Sequence, residues 1–278
     1  MTTKINDLDL EHWKAYDDIV TDSLWLVGGR DRSGAHNNAY HGNFIPQIPY
    51  QMMRRYTKRG DVVLDTFLGH GTTLIEAKRL GRHGIGLELS PDVACQAQDN
   101  IARQSAPCEG DGEPVSSPVS SHVIVADSTT QEARDRVQAI LRGIGSAHLH
   151  LIIMHPPYHD IIAFSDKAED ISNAPSVEEF TKKCGDVVEN FVPFLDHGRY
   201  LAIVIGDKYT NSAWVPLGFY LMQEALARGD ALRLKAIVVK NMTGNRAKIQ
   251  QDNLWRYRAL TGGFYIFKHE YILLFQRT

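Results

Sequence analysis

The stretch Asp61-Val62-Val63-Leu64-Asp65-Thr66-Phe67-Leu68-Gly69-His70-Gly71-Thr72-Thr73 carries the reading of the fold. Val62, Val63 and Leu64 are a short apolar run between charged ends, the pattern of a strand buried on both faces. Gly69-His70-Gly71 is a turn, and Thr72 to Arg79 opens a helix. Strand, glycine turn and helix in that order put the turn at the carboxyl end of the strand, where open α/β sheets bind ligands. Glycines there let the backbone take φ > 0 and come close to a ligand. Glu88 ends the next apolar run, where a carboxylate is placed to accept from two ribose hydroxyls. Neither G-x-G-x-x-G nor a Walker lysine is present, which argues against dinucleotide and P-loop sites.

Outward from this stretch the pattern repeats. Strand patterns lie at 83–89, 122–126, 149–154, 200–205, 233–239 and 271–275, with helical patterns at 91–104, 131–141, 177–194 and 214–228. Alternating strands and helices predict an α/β fold with a mostly parallel seven-stranded sheet covered on both faces. The last two strands are joined by a polar stretch without a helical pattern, so they are expected to form an antiparallel pair at the edge. Tyr50 to Tyr56 reads as a short helix after Pro49. Residues 1–40 have no clear period and read as an extension, and Ser105 to Ser121, rich in Pro, Ser and Gly, reads as a loop. The expected organisation is one catalytic domain over 1–278, with the 1–40 extension and an insertion at 241–267.

The 278 residues are 43% hydrophobic and 23% charged, enough for one large core. No apolar run reaches membrane-spanning length, and the N-terminus has no signal-like apolar core. Cys95, Cys108 and Cys184 are odd in number and far apart, which predicts a reducing, cytoplasmic setting and no zinc site. The net charge is −3, but it is unevenly spread. From Arg228 onward there are ten Lys or Arg against three Asp or Glu, leaving twenty basic and thirty acidic residues before it. A basic C-terminal fifth on an acidic body is the asymmetry of a local polyanion-binding surface.

Asp-x-Phe-x-Gly-x-Gly-Thr-Thr at 65–73 resembles the cofactor motif of the DNA amino-methyltransferases, which modify adenine N6 or cytosine N4. The resemblance implies a class I, Rossmann-like methyltransferase fold that binds S-adenosylmethionine. Asp65, Phe67, Gly69, Gly71 and Thr72 would line the cofactor, Glu88 would hold its ribose, and Asp127 would accept from its adenine amino group. The segment Gly42-Asn43-Phe44-Ile45-Pro46 is similar to the one that closes over the methionine end, through Asn43 and Phe44.

His155-Pro156-Pro157-Tyr158 follows the apolar strand Leu151-Ile152-Ile153-Met154. Two prolines fix the backbone, so the Pro156 carbonyl points in a defined direction. In the resembled family this loop is Asp, Asn or Ser, then Pro-Pro and an aromatic residue. Its first side chain and first proline carbonyl accept the two N–H groups of a base amino group, and the aromatic ring stacks on a base flipped out of the duplex. His155 departs from that pattern. A neutral imidazole accepts one hydrogen bond and an imidazolium accepts none. Methylation is therefore expected to fall as the pH drops through about 6.5, the unperturbed histidine value. His155 and His159 are four apart, but the prolines between them argue against a helical metal pair, and no metal is expected.

The closing segment precedes the glycine loop, which precedes the catalytic loop. This resembles circular arrangements of the family in which target recognition follows the catalytic part or is missing. The insertion carries Arg246, Lys248, Arg256 and Arg258 interleaved with Trp255, Tyr257, Phe264 and Tyr265, a mixture suited to phosphate contact and base stacking. Double-stranded DNA is the expected partner, adenine N6 slightly ahead of cytosine N4, with a second copy or a restriction enzyme left open as further partners. The alternatives are an RNA or protein N-methyltransferase, and an inactive cofactor-binding subunit that serves a partner's specificity.

Overall fold

The computed structural model describes residues 4–36, 42–105, 118–162, 164–228, 231–242 and 252–278. In chain order the elements are β1 (Leu24–Trp25), α1 (Gln47–Tyr56), β2 (Val62–Asp65), α2 (Thr72–Arg79), β3 (His83–Glu88), α3 (Pro91–Arg103), β4 (Ser121–Val125), α4 (Gln131–Gly143) and β5 (Leu149–Met154). They continue with α5 (Val177–Phe191), β6 (Leu195–Ile205), β7 (Lys208–Thr210), β8 (Ala213–Val215), α6 (Leu217–Arg228), β9 (Leu232–Asn241), α7 (Asp252–Gly262) and β10 (His269–Arg277).

The main sheet runs β1-β9-β10-β6-β5-β2-β3-β4. From β6 to β4 every pairing is parallel, so the carboxyl ends of five strands share one edge. β10 is antiparallel to both β6 and β9. The seven expected strands are all present, with three differences. An eighth strand, β1, pairs parallel with β9 and takes the outer position. The antiparallel pair is thus not the edge itself, because β10 lies inside, between β6 and β9. The polar stretch between β9 and β10 contains a helix, α7. Its apolar residues Leu254, Tyr257 and Leu260 are exposed, so it does not bury an apolar face as a packed helix does.

Local signals account for the helix boundaries. Ser176 caps α5 by accepting from Glu179 N, and Thr130 caps α4 by accepting from Ala133 N. Pro91 opens α3. α1 starts two residues ahead of Pro49, which its first turn tolerates because no intrahelical partner awaits that N–H. β6 begins five residues earlier than its apolar run, in the half-polar stretch from Leu195.

Two apolar layers flank the sheet. On one face α4, α5 and α6 bury Val137, Leu141, Phe180, Phe191 and Leu221 against β5, β6 and β10. On the other, α1 contributes Ile48, Met52 and Met53, joined by Phe44 and by Trp25 from β1. The N-terminal extension therefore belongs to the core: Trp25 is 2% exposed. Among the described residues no helix is long and apolar enough to cross a membrane. Truncating Trp25 to alanine is expected to lower the unfolding free energy by about 3–5 kcal/mol. Urea denaturation checks this, and a change under about 1 kcal/mol would show that β1 is dispensable.

Candidate active site

β2 and β5 are neighbours, with Asp65 opposite Ile153. The glycine loop after β2 and the His155–Tyr158 loop after β5 therefore leave the sheet side by side. Thr66 N donates to Ile153 O at 3.1 Å, extending the ladder into the glycine loop.

The glycine loop is braced from below. Asp65 is buried, accepting from Phe67 N at 2.9 Å and from Thr73 Oγ1 at 2.5 Å. Burial pushes its carboxyl up to about 6. Gly71 has φ +90° and precedes α2 directly, so an L side chain there would be strained. Phe67 and Gly69 are half-buried, while Gly71 and Thr72 are buried. Glu88 ends β3 half-buried; its Oε2 accepts from Gly69 N and its Oε1 from Ser90 N. Each carboxylate oxygen has a further lone pair, so Glu88 still fits a diol. Asp127 stands beyond the end of β4, its Oδ1 taken by the Thr129 N–H and hydroxyl.

The 42–46 segment lies across this edge. Arg30 donates to the carbonyls of Asn43 and Phe44, and Phe44 meets the His155 ring edge-on, centroids 4.8 Å apart. Tyr158 also meets the His155 ring edge-on, at 5.7 Å. No hydrogen bond from the described residues fixes the half-buried His155 ring. Burial pushes its pKa down to about 4, well below the 6.5 expected from the sequence. That expectation is corrected because it took the ring as solvated, whereas two aromatic rings and the sheet edge surround it.

Tyr158 is also held more tightly than a free stacking ring. Its hydroxyl donates to Glu270 Oε2 at 2.7 Å, and Glu270 Oε1 accepts from Lys240 Nζ at 2.6 Å. Burial, reinforced by the Glu270 charge, holds the phenol well above its ordinary pKa. The ring rests on Gly206, where a Cβ would lie 2.7 Å from it.

After Tyr158 the chain turns at His159, whose φ is +52°. Its Nε2–H donates to Ala174 O, and its Nδ1 accepts from Lys208 Nζ, which also donates to Asp160. Both ring nitrogens are thus engaged within the protein. The following loop arches back toward the end of β3 and the 42–46 segment: Phe164 packs on Gly42, and Lys167 donates to Leu89 O.

Beside this loop lies a cavity of about 310 Å³, lined by Asp160, Lys208, Tyr209, Trp255, Phe264 and Phe267 among others. Tyr209 and Phe264 stack at 4.3 Å, tying the β7–β8 hairpin to the insertion. Arg256 and Arg258 are exposed on α7, with Arg258 over the Trp255 ring. Arg246 and Lys248 lie outside the described residues. Sequence reasoning missed Lys208, Tyr209, Lys240 and Glu270 as members of this region. Lys208 and Tyr209 had a usable signal, since they follow the carboxyl end of β6.

The architecture is a Rossmann-like α/β fold with a central mixed sheet, the general class I methyltransferase fold. A solved structure similar to it over 86% of this chain and 51% of its own is TrmN from Thermus thermophilus, with a TM-score of 0.52 and 14% identity. Residues 4–99 match the family described as DNA methylase, N6_N4_Mtase. It is 40% identical over 52 residues to the Type II methyltransferase M.MjaII of Methanocaldococcus jannaschii, covering 19% of this chain and 10% of that one. It is 28% identical over 96 residues to the Type II methyltransferase M.BglI of Bacillus subtilis, covering 34% and 26%. The chain thus spans at most about a quarter of these curated relatives.

A histidine held near pKa 4 stays neutral throughout the neutral range. The unfolded chain binds its proton more readily, so stability falls as the pH drops from about 6.5 toward 4 and His155 contributes no change above that window. Titration of the His155 ring by NMR is expected to show no midpoint between about pH 5.5 and 8. An inflection near 6.5 would place the ring in solvent.

Proposed function

We propose that this chain is an S-adenosylmethionine-dependent methyltransferase acting on the exocyclic amino group of a DNA base, adenine N6 or cytosine N4. The observation that carries this reading is the side-by-side exit of the glycine loop and the His-Pro-Pro-Tyr loop from the paired strands β2 and β5. The family match at 4–99 supports DNA as the substrate class.

The residues fit the cofactor. Glu88 offers its remaining lone pairs to a ribose diol, the Gly69–Gly71 backbone gives close access, and Asp127 stands where an adenine amino group would find an acceptor. When bound, S-adenosylmethionine supplies an electrophilic methyl group on a sulfonium. The protein's own contribution is positioning. An amino group conjugated with a base ring is a weak nucleophile, and acceptors on its N–H bonds favour the pyramidal nitrogen that attacks. The Pro156 carbonyl is one acceptor, and the neutral His155 ring is the other. Tyr158 supplies the aromatic surface beside them. The aromatic cavity and the cations of α7 form the surface on which the nucleic acid rests, with the base turned out of the helix to reach the loop.

Wild-type protein is expected to transfer labelled methyl groups to duplex DNA, with the product found as N6-methyladenine or N4-methylcytosine on nucleoside analysis. Label appearing only on RNA or protein would overturn the substrate assignment. Glu88→Ala is expected to weaken cofactor binding at least about tenfold by calorimetry, the loss of a charged hydrogen-bonding partner. Arg256→Ala with Arg258→Ala is expected to weaken DNA binding and to flatten its salt dependence, by about 0.9 in log–log slope for each phosphate that these arginines neutralise. An unchanged slope would remove α7 from the DNA surface.

A further inference from the structure

Lys240 and Glu270 face each other directly across the β9–β10 ladder. Their side chains are 5% and 8% exposed and meet at 2.6 Å. A buried ion pair contributes little net stability, because desolvating both charges offsets their attraction. Apolar residues of similar volume would serve the core as well. What an apolar pair could not do is accept a hydrogen bond, and Glu270 Oε2 accepts the Tyr158 hydroxyl. Lys240 holds the other oxygen and also donates to Asn241 O, so the carboxylate is fixed before it meets the phenol. Gly206 leaves room for the Tyr158 ring on one side and His155 bounds it on another.

We infer that Glu270, oriented by Lys240, is a positioning residue that sets the Tyr158 ring against the incoming base. This rests on the function proposed above. The pair sits on the two strands that lead into and out of the α7 insertion, so the catalytic loop is tied to the base of the element that receives the nucleic acid.

The test is a cycle of three variants. Lys240→Met with Glu270→Met replaces the pair by side chains of similar volume and is expected to lower Tm by no more than the loss of the one hydrogen bond to Tyr158. It is also expected to lower kcat about 10- to 100-fold, the cost of a small misplacement, with cofactor affinity unchanged. Tyr158→Phe removes only the hydroxyl and should lower kcat by a similar factor. Combining all three changes should cost no more than Tyr158→Phe alone, because Glu270 acts through that hydroxyl. Independently of any substrate, amide hydrogen exchange at 158–162 should speed up in the pair variant.

Multiplying losses in the combined variant, or a pair variant with normal kcat and unchanged exchange, would overturn the inference. If the pair variant fails to fold, Glu270→Gln serves in its place. It keeps an acceptor for Tyr158 and is expected to lose less activity than Glu270→Met, and equal losses would count against the inference. A wild-type protein that transfers no methyl group would overturn the function instead, while the exchange measurement still reads the hydrogen bond between Glu270 and Tyr158.

Discussion

The parallel ladder between β2 and β5 is the constraint on which the site depends. Parallel pairing runs both chains in one direction, so both following loops must emerge at the same edge. The register of Asp65 on Ile153 and the Thr66–Ile153 hydrogen bond then decide how far apart they start. A one-residue slip would turn every side chain of the shifted strand to the opposite face. The slip is opposed because Val63 and Leu151 face one apolar layer while Leu64 and Ile152 face the other. The core does not merely stabilise the site; it fixes the offset between the two loops.

Around that frame, polar groups in a low-dielectric setting do the fine placement. The His-Pro-Pro-Tyr loop is pinned at two points by lysines from different strands. Lys240 acts through Glu270 on Tyr158, and Lys208 acts on His159 and Asp160. The two prolines remove backbone freedom just ahead of these points. On the cofactor side Asp65 serves the same purpose for the glycine loop, with both oxygens turned inward on Phe67 and Thr73. Such groups are costly to leave unpaired when buried, so each tends to keep its loop in a single arrangement.

Much of this was legible in the sequence. Parallel strands covered on both faces write themselves as short apolar runs such as 62–64 and 151–154, and the five from β6 to β4 were readable on that account. The two loops were readable because glycine and proline punctuate strand ends. The unread parts share a physical cause: they depend on where distant segments meet. Leu24–Trp25 is too short to show a period, and its partner is more than 200 residues away. The helix at Asp252–Gly262 carries apolar residues around its circumference, Trp255 and Ala259 as well as Leu254, Tyr257 and Leu260, so it lacks a stripe. Lys240 and Glu270 become partners only through the antiparallel register of β9 and β10, which no local pattern encodes. The His155 titration depended on burial, which the residue type alone does not give.

At His155 burial and charge pairing act on one group. In its proposed role His155 accepts a hydrogen bond only if it stays uncharged, and two influences bear on that. Burial lowers its pKa and is the largest effect, while the charges of Glu270 and Lys240 push in opposite directions. An unpaired Glu270 would push the pKa of the ring up and so work against a neutral acceptor. Pairing it with Lys240 leaves the carboxylate free to hold Tyr158 while the two fields at His155 oppose each other. The same ion pair that adds little to stability thus permits a carboxylate near an imidazole that the proposed role requires to be neutral.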